Sequence, residues 1–118
     1  MDDNPAFPRS VWLIAALSAA LAVAAGAFGA HGAASPKAAE WLRTGGIYQM
    51  VHAVAAITIA RHFPRSAVTM LVGAAIFALT LYAMALGAPR WLGAVTPIGG
   101  TLMIAGWLAV AWGVMRRR

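Results

Sequence analysis

Cysteine is absent from the 118-residue chain. Without a thiol there is no disulfide exchange, no thiolate metal site and no covalent thiol catalysis, which excludes membrane oxidoreductases that work through a disulfide or a quinone-linked dithiol. Acidic residues are nearly as scarce: there are three, Asp2, Asp3 and Glu40, and none stands inside an apolar run. A proton- or cation-coupled exporter needs a carboxylate within a span to hold its ion. Conventional hydrolysis needs a serine–histidine–acid set or paired carboxylates. The chain offers neither. Charge of any sign amounts to 10 % of residues, against roughly a quarter in an ordinary soluble domain.

What fills the chain is apolar, at 62 % of residues. Uncharged runs extend over Ser10–His31, Thr44–Ala60, Ser66–Pro89 and Trp91–Met115. Crossing about 30 Å of hydrocarbon takes roughly 20 residues of helix. The second run is short, so its helix must begin earlier. Ser35-Pro36 supplies a cap and a first-turn proline there, and Gly45-Gly46 is a place where that helix can bend. The expectation is an all-α membrane protein: four transmembrane helices in an antiparallel bundle, over about residues 10–31, 36–61, 66–87 and 91–115 of a single domain 10–118, behind a leader 1–9 without fixed structure. Arg9 followed by an apolar run and Ala25-Gly26-Ala27 also fits a secretory signal, but the run exceeds a typical signal core, so a retained span is expected.

Basic residues set the orientation. With the termini on one side, that side carries Arg9, Arg61, Arg65 and Arg116–Arg118, whereas the other carries Lys37, Arg43 and Arg90, with Glu40 among them. The bias places both termini in the cytoplasm. The net charge of +6 is then an orientation signal, and no nucleic-acid partner is expected, since no basic helix with interleaved aromatics lies outside the membrane.

Small residues recur on the first helix as Ala15/Ala19, Ala22/Gly26/Ala30 and Ala25/Gly29, a spacing that lets helices approach closely. Gly99, Gly106 and Gly113 step by seven along the last helix, so they lie near one face, which should meet protein and not lipid. Pro97 in that helix frees a carbonyl near Gly93, which Thr96 can help satisfy. Polar residues within spans mark where function is sought, because each is costly there unless paired. Here they gather at one level toward the outer side: His31, Tyr48, Gln49, His52, Tyr82, Arg90 and Thr96. Tyr48, Gln49 and His52 share a helical face. Such a cluster is either interhelical glue or a site for a lipid headgroup or small anionic ligand, with Arg90 pairing the charge. His31 and His52 as axial haem ligands are compatible with the topology, but His31 abuts a glycine turn and no third polar ligand accompanies them. No cofactor is expected.

Phe28-Gly29-Ala30-His31-Gly32, Tyr48-Gln49-Met50-Val51-His52-Ala53, Arg90-Trp91-Leu92-Gly93, Thr96-Pro97-Ile98-Gly99-Gly100 and Ala105-Gly106-Trp107 closely resemble the YgdD-like family of small four-helix bacterial membrane proteins, which is related to a small transmembrane protein of animals. The resemblance runs from Val11 to Ala111 and implies an uncleaved, multi-pass inner-membrane protein. It supplies no activity, because the family is a domain of unknown function. Residues matching its motifs are His31, Tyr48, Gln49, His52, Tyr82, Arg90, Thr96, Pro97, Gly99 and Gly100. The chain departs where Ala78-Leu79-Thr80 replaces the family's Ser-Gly-Ser, and at Gly45-Gly46. The reading is a non-enzymatic accessory or scaffold protein of a membrane complex or of lipid organisation, with membrane lipids and a second copy or other membrane proteins as partners. The alternative is a binding protein or channel-like element for a lipid headgroup or small polar ligand at the outer face.

Overall fold

The computed structural model describes residues 6–117, which form α1 (Ala6–His31), α2 (Pro36–Ile59), α3 (Pro64–Ala85), a 3-10 turn at Arg90–Ala94 and α4 (Thr96–Arg116), with no strand among the described residues. α1 begins inside the expected leader; residues 1–5 of that leader lie outside the described residues. α1, α3 and the Arg90–Arg116 stretch are long and apolar enough to cross a membrane. α2 is as long, but its first two turns hold Lys37, Glu40 and Arg43 and its middle holds Tyr48, Gln49 and His52, so it is less apolar than the others.

α3 is the centre. It packs extensively on α2 and α4 and lightly on α1, while α1 lies along α2. Half of the α3 span is buried (50 %), against 22 % for α1 and 17 % for the α4 stretch. In one core cluster Val11 and Ala15 of α1 join Ala56 and Ala60 at the end of α2 and Ala67 and Leu71 of α3. In the other, Ala25 joins Ala38 and Leu42 at the start of α2 and Ala78, Tyr82 and Ala85 at the end of α3.

Alanine makes up more than half of the buried apolar residues, because lipid gives helices no hydrophobic reason to associate, so close backbone approach and van der Waals contact must do it. A Cβ on Gly46 would stand 3.1 Å from the carbonyl oxygen of Ala22, and one on Gly29 would stand 3.0 Å from Cβ of Leu42. At the α3–α4 crossing, glycine meets glycine: a Cβ on Gly73 would lie 2.8 Å from the carbonyl oxygen of Gly99. The face of Gly99, Gly106 and Gly113 is turned to α3 as its spacing predicts, Gly106 against Met70 and Gly113 against the ring of Phe63.

The ends follow their local chemistry. Ser35 caps α2, its Oγ accepting from the Ala38 amide at 3.0 Å, with Pro36 in the first turn. α3 closes with Ala88 N–H on the Ala83 carbonyl and Gly87 N–H on the Met84 carbonyl, and Gly87 takes the φ of 104° that this closure needs. At the opposite end Trp12 Nε1 donates to the Ile57 carbonyl at 3.3 Å beneath Arg61, and Arg117 Nη2 donates to the His62 carbonyl at 3.1 Å over the Phe63 ring.

Two local expectations resolve differently. The last helix is not continuous from residue 91: it splits into the 3-10 turn and α4, whose first turn holds Pro97. Proline has no N–H to bond the Gly93 carbonyl, and a helix start is where that loss is harmless. Gly45-Gly46 does not break α2. A Cβ on Gly45 would fall 2.7 Å from the ring of Tyr82, so the pair seats α3 on one side and α1 on the other.

Candidate functional site

The polar residues inside the bundle form three interhelical pairs. On α2 and α3, Tyr82 OH donates to Oε1 of Gln49 at 2.7 Å, both side chains buried. Gly45, one turn before Gln49, clears the space that the Tyr82 ring fills. On α2 and α4, Trp107 Nε1 donates to Nε2 of His52 at 3.0 Å. The other ring nitrogen, Nδ1, stands 2.7 Å from the Tyr48 carbonyl one turn back. An indole N–H only donates and a carbonyl only accepts, so the neutral tautomer protonated at Nδ1 satisfies both contacts. On α3 and the start of α4, the hydroxyls of Thr80 and Thr96 meet at 2.6 Å, and Thr96 also donates to the Leu92 carbonyl at 3.3 Å.

Aromatic packing surrounds the second pair. The Tyr48 ring stacks over His52 with centroids 6.4 Å apart and leans on Phe77 at 4.9 Å, while His52 meets Trp107 edge-on at 5.9 Å. Thr58, Thr69 and Thr101 return their hydroxyls to carbonyls four residues back. Among the described residues no buried side-chain nitrogen or oxygen lacks a hydrogen-bond partner.

The seven residues expected at one outer level are therefore distributed. Gln49 and Tyr82 pair, Tyr48 packs on His52, and Thr96 finds Thr80. His52 and Trp107 sit deeper, halfway along α4. His31, at the end of α1, and Arg90, in the 3-10 turn, are exposed and join none of these pairs. The partners that sequence reasoning did not assign are Thr80 and Trp107. The signal for Thr80 was present in its place beside the Ala78-Leu79 departure; Trp107 had only its presence in a motif.

A haem or other metal is poorly served. Both His52 nitrogens are engaged, no group of three or more candidate ligands is found among the described residues, and His31 is on the surface at the end of its helix.

Because the pairs are mutual, their loss should be felt as stability. Tyr82→Phe leaves the Gln49 oxygen without its donor and is expected to cost about 0.6 kcal/mol, with about 1.7 as the ceiling seen for such bonds in a bilayer protein. The measurement is the shift of the unfolding midpoint in mixed micelles; an unchanged midpoint would show that the bond contributes nothing.

Comparison with known proteins places these residues. A family model described as "Protein of unknown function (DUF423)" matches residues 25–100. The chain belongs to this family. The matched stretch contains His31, Tyr48, Gln49, His52, Tyr82, Arg90 and Thr96, whereas Trp107 lies beyond it. A UPF0382 membrane protein of Haemophilus influenzae is 38 % identical over 115 residues, covering 89 % of this chain and 93 % of that one. The UPF0382 inner membrane protein YgdD of Escherichia coli K12 is 34 % identical over 119 residues, covering 92 % and 91 %. A UPF0382 membrane protein of Staphylococcus saprophyticus is 34 % identical over 114 residues, covering 88 % and 95 %. No solved structure matches the chain. With three helices fit to span and relatives of nearly the same length, this member of the DUF423 family is a multi-pass protein of the bacterial inner membrane.

Proposed function

We propose that the chain is a non-enzymatic scaffold: four antiparallel spans, both termini cytoplasmic, serving as a small accessory protein for a larger membrane complex or for lipid organisation. The observation that carries this is the closure of its polar interior. Gln49 with Tyr82, His52 with Trp107 and Thr80 with Thr96 satisfy one another, so the inward polar groups hold helices together and offer no reactive constellation to a substrate. The outward surface is apolar, with Leu13, Leu17, Val51, Val54, Ile104 and Leu108 all exposed, as suits a protein surrounded by lipid or by other spans. Supporting the fourth span, α2 packs along its length on both α1 and α3; its charges are confined to its first two turns, where they can reach the interface.

Cysteine labelling tests the placement cleanly, because the chain has none of its own. Lys37→Cys is expected to react with a membrane-impermeant maleimide in intact spheroplasts, and His62→Cys only after permeabilisation; the reverse pattern would sink the topology. For the role, extraction into native-lipid nanodiscs followed by native mass spectrometry is expected to recover the chain with other membrane proteins. A bare chain holding a small molecule that the His52→Ala variant loses would instead favour a binding protein for a small polar ligand.

A further inference from the structure

The α1–α2 face carries a furrow that the bundle itself does not use. Its upper part, with a volume of about 570 Å³, is walled by Gly26, Gly29 and Ala30 of α1 and by Glu40, Arg43, Thr44 and Ile47 of α2. A second part of about 380 Å³ shares Gly26, Arg43 and Ile47 and continues past Ala22 and Gly46 to Met50 and Val51. Polar groups line one end and apolar groups the other.

Two observations bear on what occupies this space. Gly29 and Gly46 are required by the α1–α2 contact, but a Cβ built on Gly26 meets no atom within 4 Å. Gly26 is the one helical glycine among the described residues of which this is true. A glycine in a helix interior costs about 0.5–1 kcal/mol relative to alanine, and packing within the chain gives no return for it here. The second observation is charge. Glu40 is paired with Lys37 at 3.7 Å, whereas among the described residues Arg43, exposed at the wall of the furrow, is in no ion pair. Arg43 follows Pro36 by seven residues, about 10 Å down the helix, a depth from which an arginine reaches the phosphate layer.

We propose that this furrow binds an anionic phospholipid, its phosphodiester on the Arg43 guanidinium and the Thr44 hydroxyl, and one acyl chain lying over Gly26 toward Val51. A guanidinium and a phosphate match in charge and in forked geometry. The site is separate from the exposed His31 and Arg90 and from the polar pairs. It rests on α2 standing in the bilayer as proposed above, and the Lys37→Cys labelling tests that placement on its own.

The test uses the full chain in nanodiscs of dioleoyl phosphatidylcholine with a minor share of dioleoyl phosphatidylglycerol, counting lipids retained in native mass spectra. The wild type is expected to keep one phosphatidylglycerol per chain. Arg43→Gln should weaken the preference for it about fivefold, the equivalent of ~1 kcal/mol for one basic residue at an anionic surface. Gly26→Leu should expel the lipid by filling the furrow without lowering the unfolding midpoint, and Arg65→Gln, which removes an arginine at the start of α3, should retain it. No preference for phosphatidylglycerol in the wild type, or equal retention in Arg43→Gln, would overturn the proposal. So would a disulfide-linked dimer of Gly26→Cys forming in place of the bound lipid, since a second copy would then occupy the furrow.

Discussion

Gly99→Ala is expected to destabilise the bundle by about 1–3 kcal/mol, the range for forcing a methyl group into a full interior. The atoms it would strike are backbone: the amide nitrogen and Cα of Phe77 and the carbonyl oxygen of Gly73. A side chain can swing to another rotamer, but these belong to the α3 ladder and move only if the two helices part. Parting costs contact along the whole α3–α4 seam, where Gly73, Gly99, Gly106 and Gly113 allow the approach. Thr80 would leave Thr96 in the same movement. The check is an unfolding titration in mixed micelles followed by tryptophan fluorescence, with Gly26→Ala beside it. Gly26 has open space where its Cβ would go, so that variant should be as stable as the wild type or up to about 1 kcal/mol more stable. Equal midpoints for the two variants would show that the glycine seam is not what holds α4.

The contrast between these glycines shows how far the sequence could be read. The seven-residue step from Gly99 to Gly113 announced a protein-facing stripe, because periodicity on one helix is a local property. Ser35-Pro36 marked the start of α2 for the same reason, and the structure has the cap in place. Pro97 was misplaced relative to its helix. Its missing N–H permits either a kink within a helix or a beginning, and the 3-10 turn that decides between them depends on how Arg90–Ala94 packs beneath Met84. Gly45-Gly46 looked like a hinge because a ring of Tyr82 resting on it, thirty-odd residues away in sequence, leaves no local trace.

The polar residues illustrate a further limit. Gln49, His52 and Tyr82 were recognisable as costly groups within apolar runs, and each does find a partner. Which partner depends on the register between helices, and register follows from glycine contacts and crossing angles that no single helix encodes. His52 was therefore placed only at a common level with the other polar residues, and its partner across the α2–α4 register, Trp107, was not assigned. α2 shows the same tension in composition. Its polar groups lower its hydropathy below that of its neighbours, yet they are the groups that tie α3 and α4 to it.

Met70→Ala should cost roughly 2–3 kcal/mol, toward the low end for removing a large side chain from a packed core. Met70 is the largest side chain with no exposure at all. In a membrane the released chain atoms lose no shelter from water, so the transfer part of the usual penalty shrinks, and the cost is the void and its lost dispersion contacts. Lipid cannot fill a void sealed between helices. The geometry also names the rescue. A Cβ on Gly106 would stand 2.6 Å from Cγ of Met70 and 3.3 Å from the Ser66 carbonyl oxygen, so Gly106→Ala alone should be destabilising through overlap. In the double variant the new methyl enters the space that Met70 has vacated, and only the milder contact with Ser66 remains. The two substitutions should thus be markedly less than additive, with a coupling of about 1 kcal/mol or more in favour of the pair. Strict additivity would mean that the α3–α4 seam relaxes freely around either change, and the close approach of these helices would then not be what the bundle depends on.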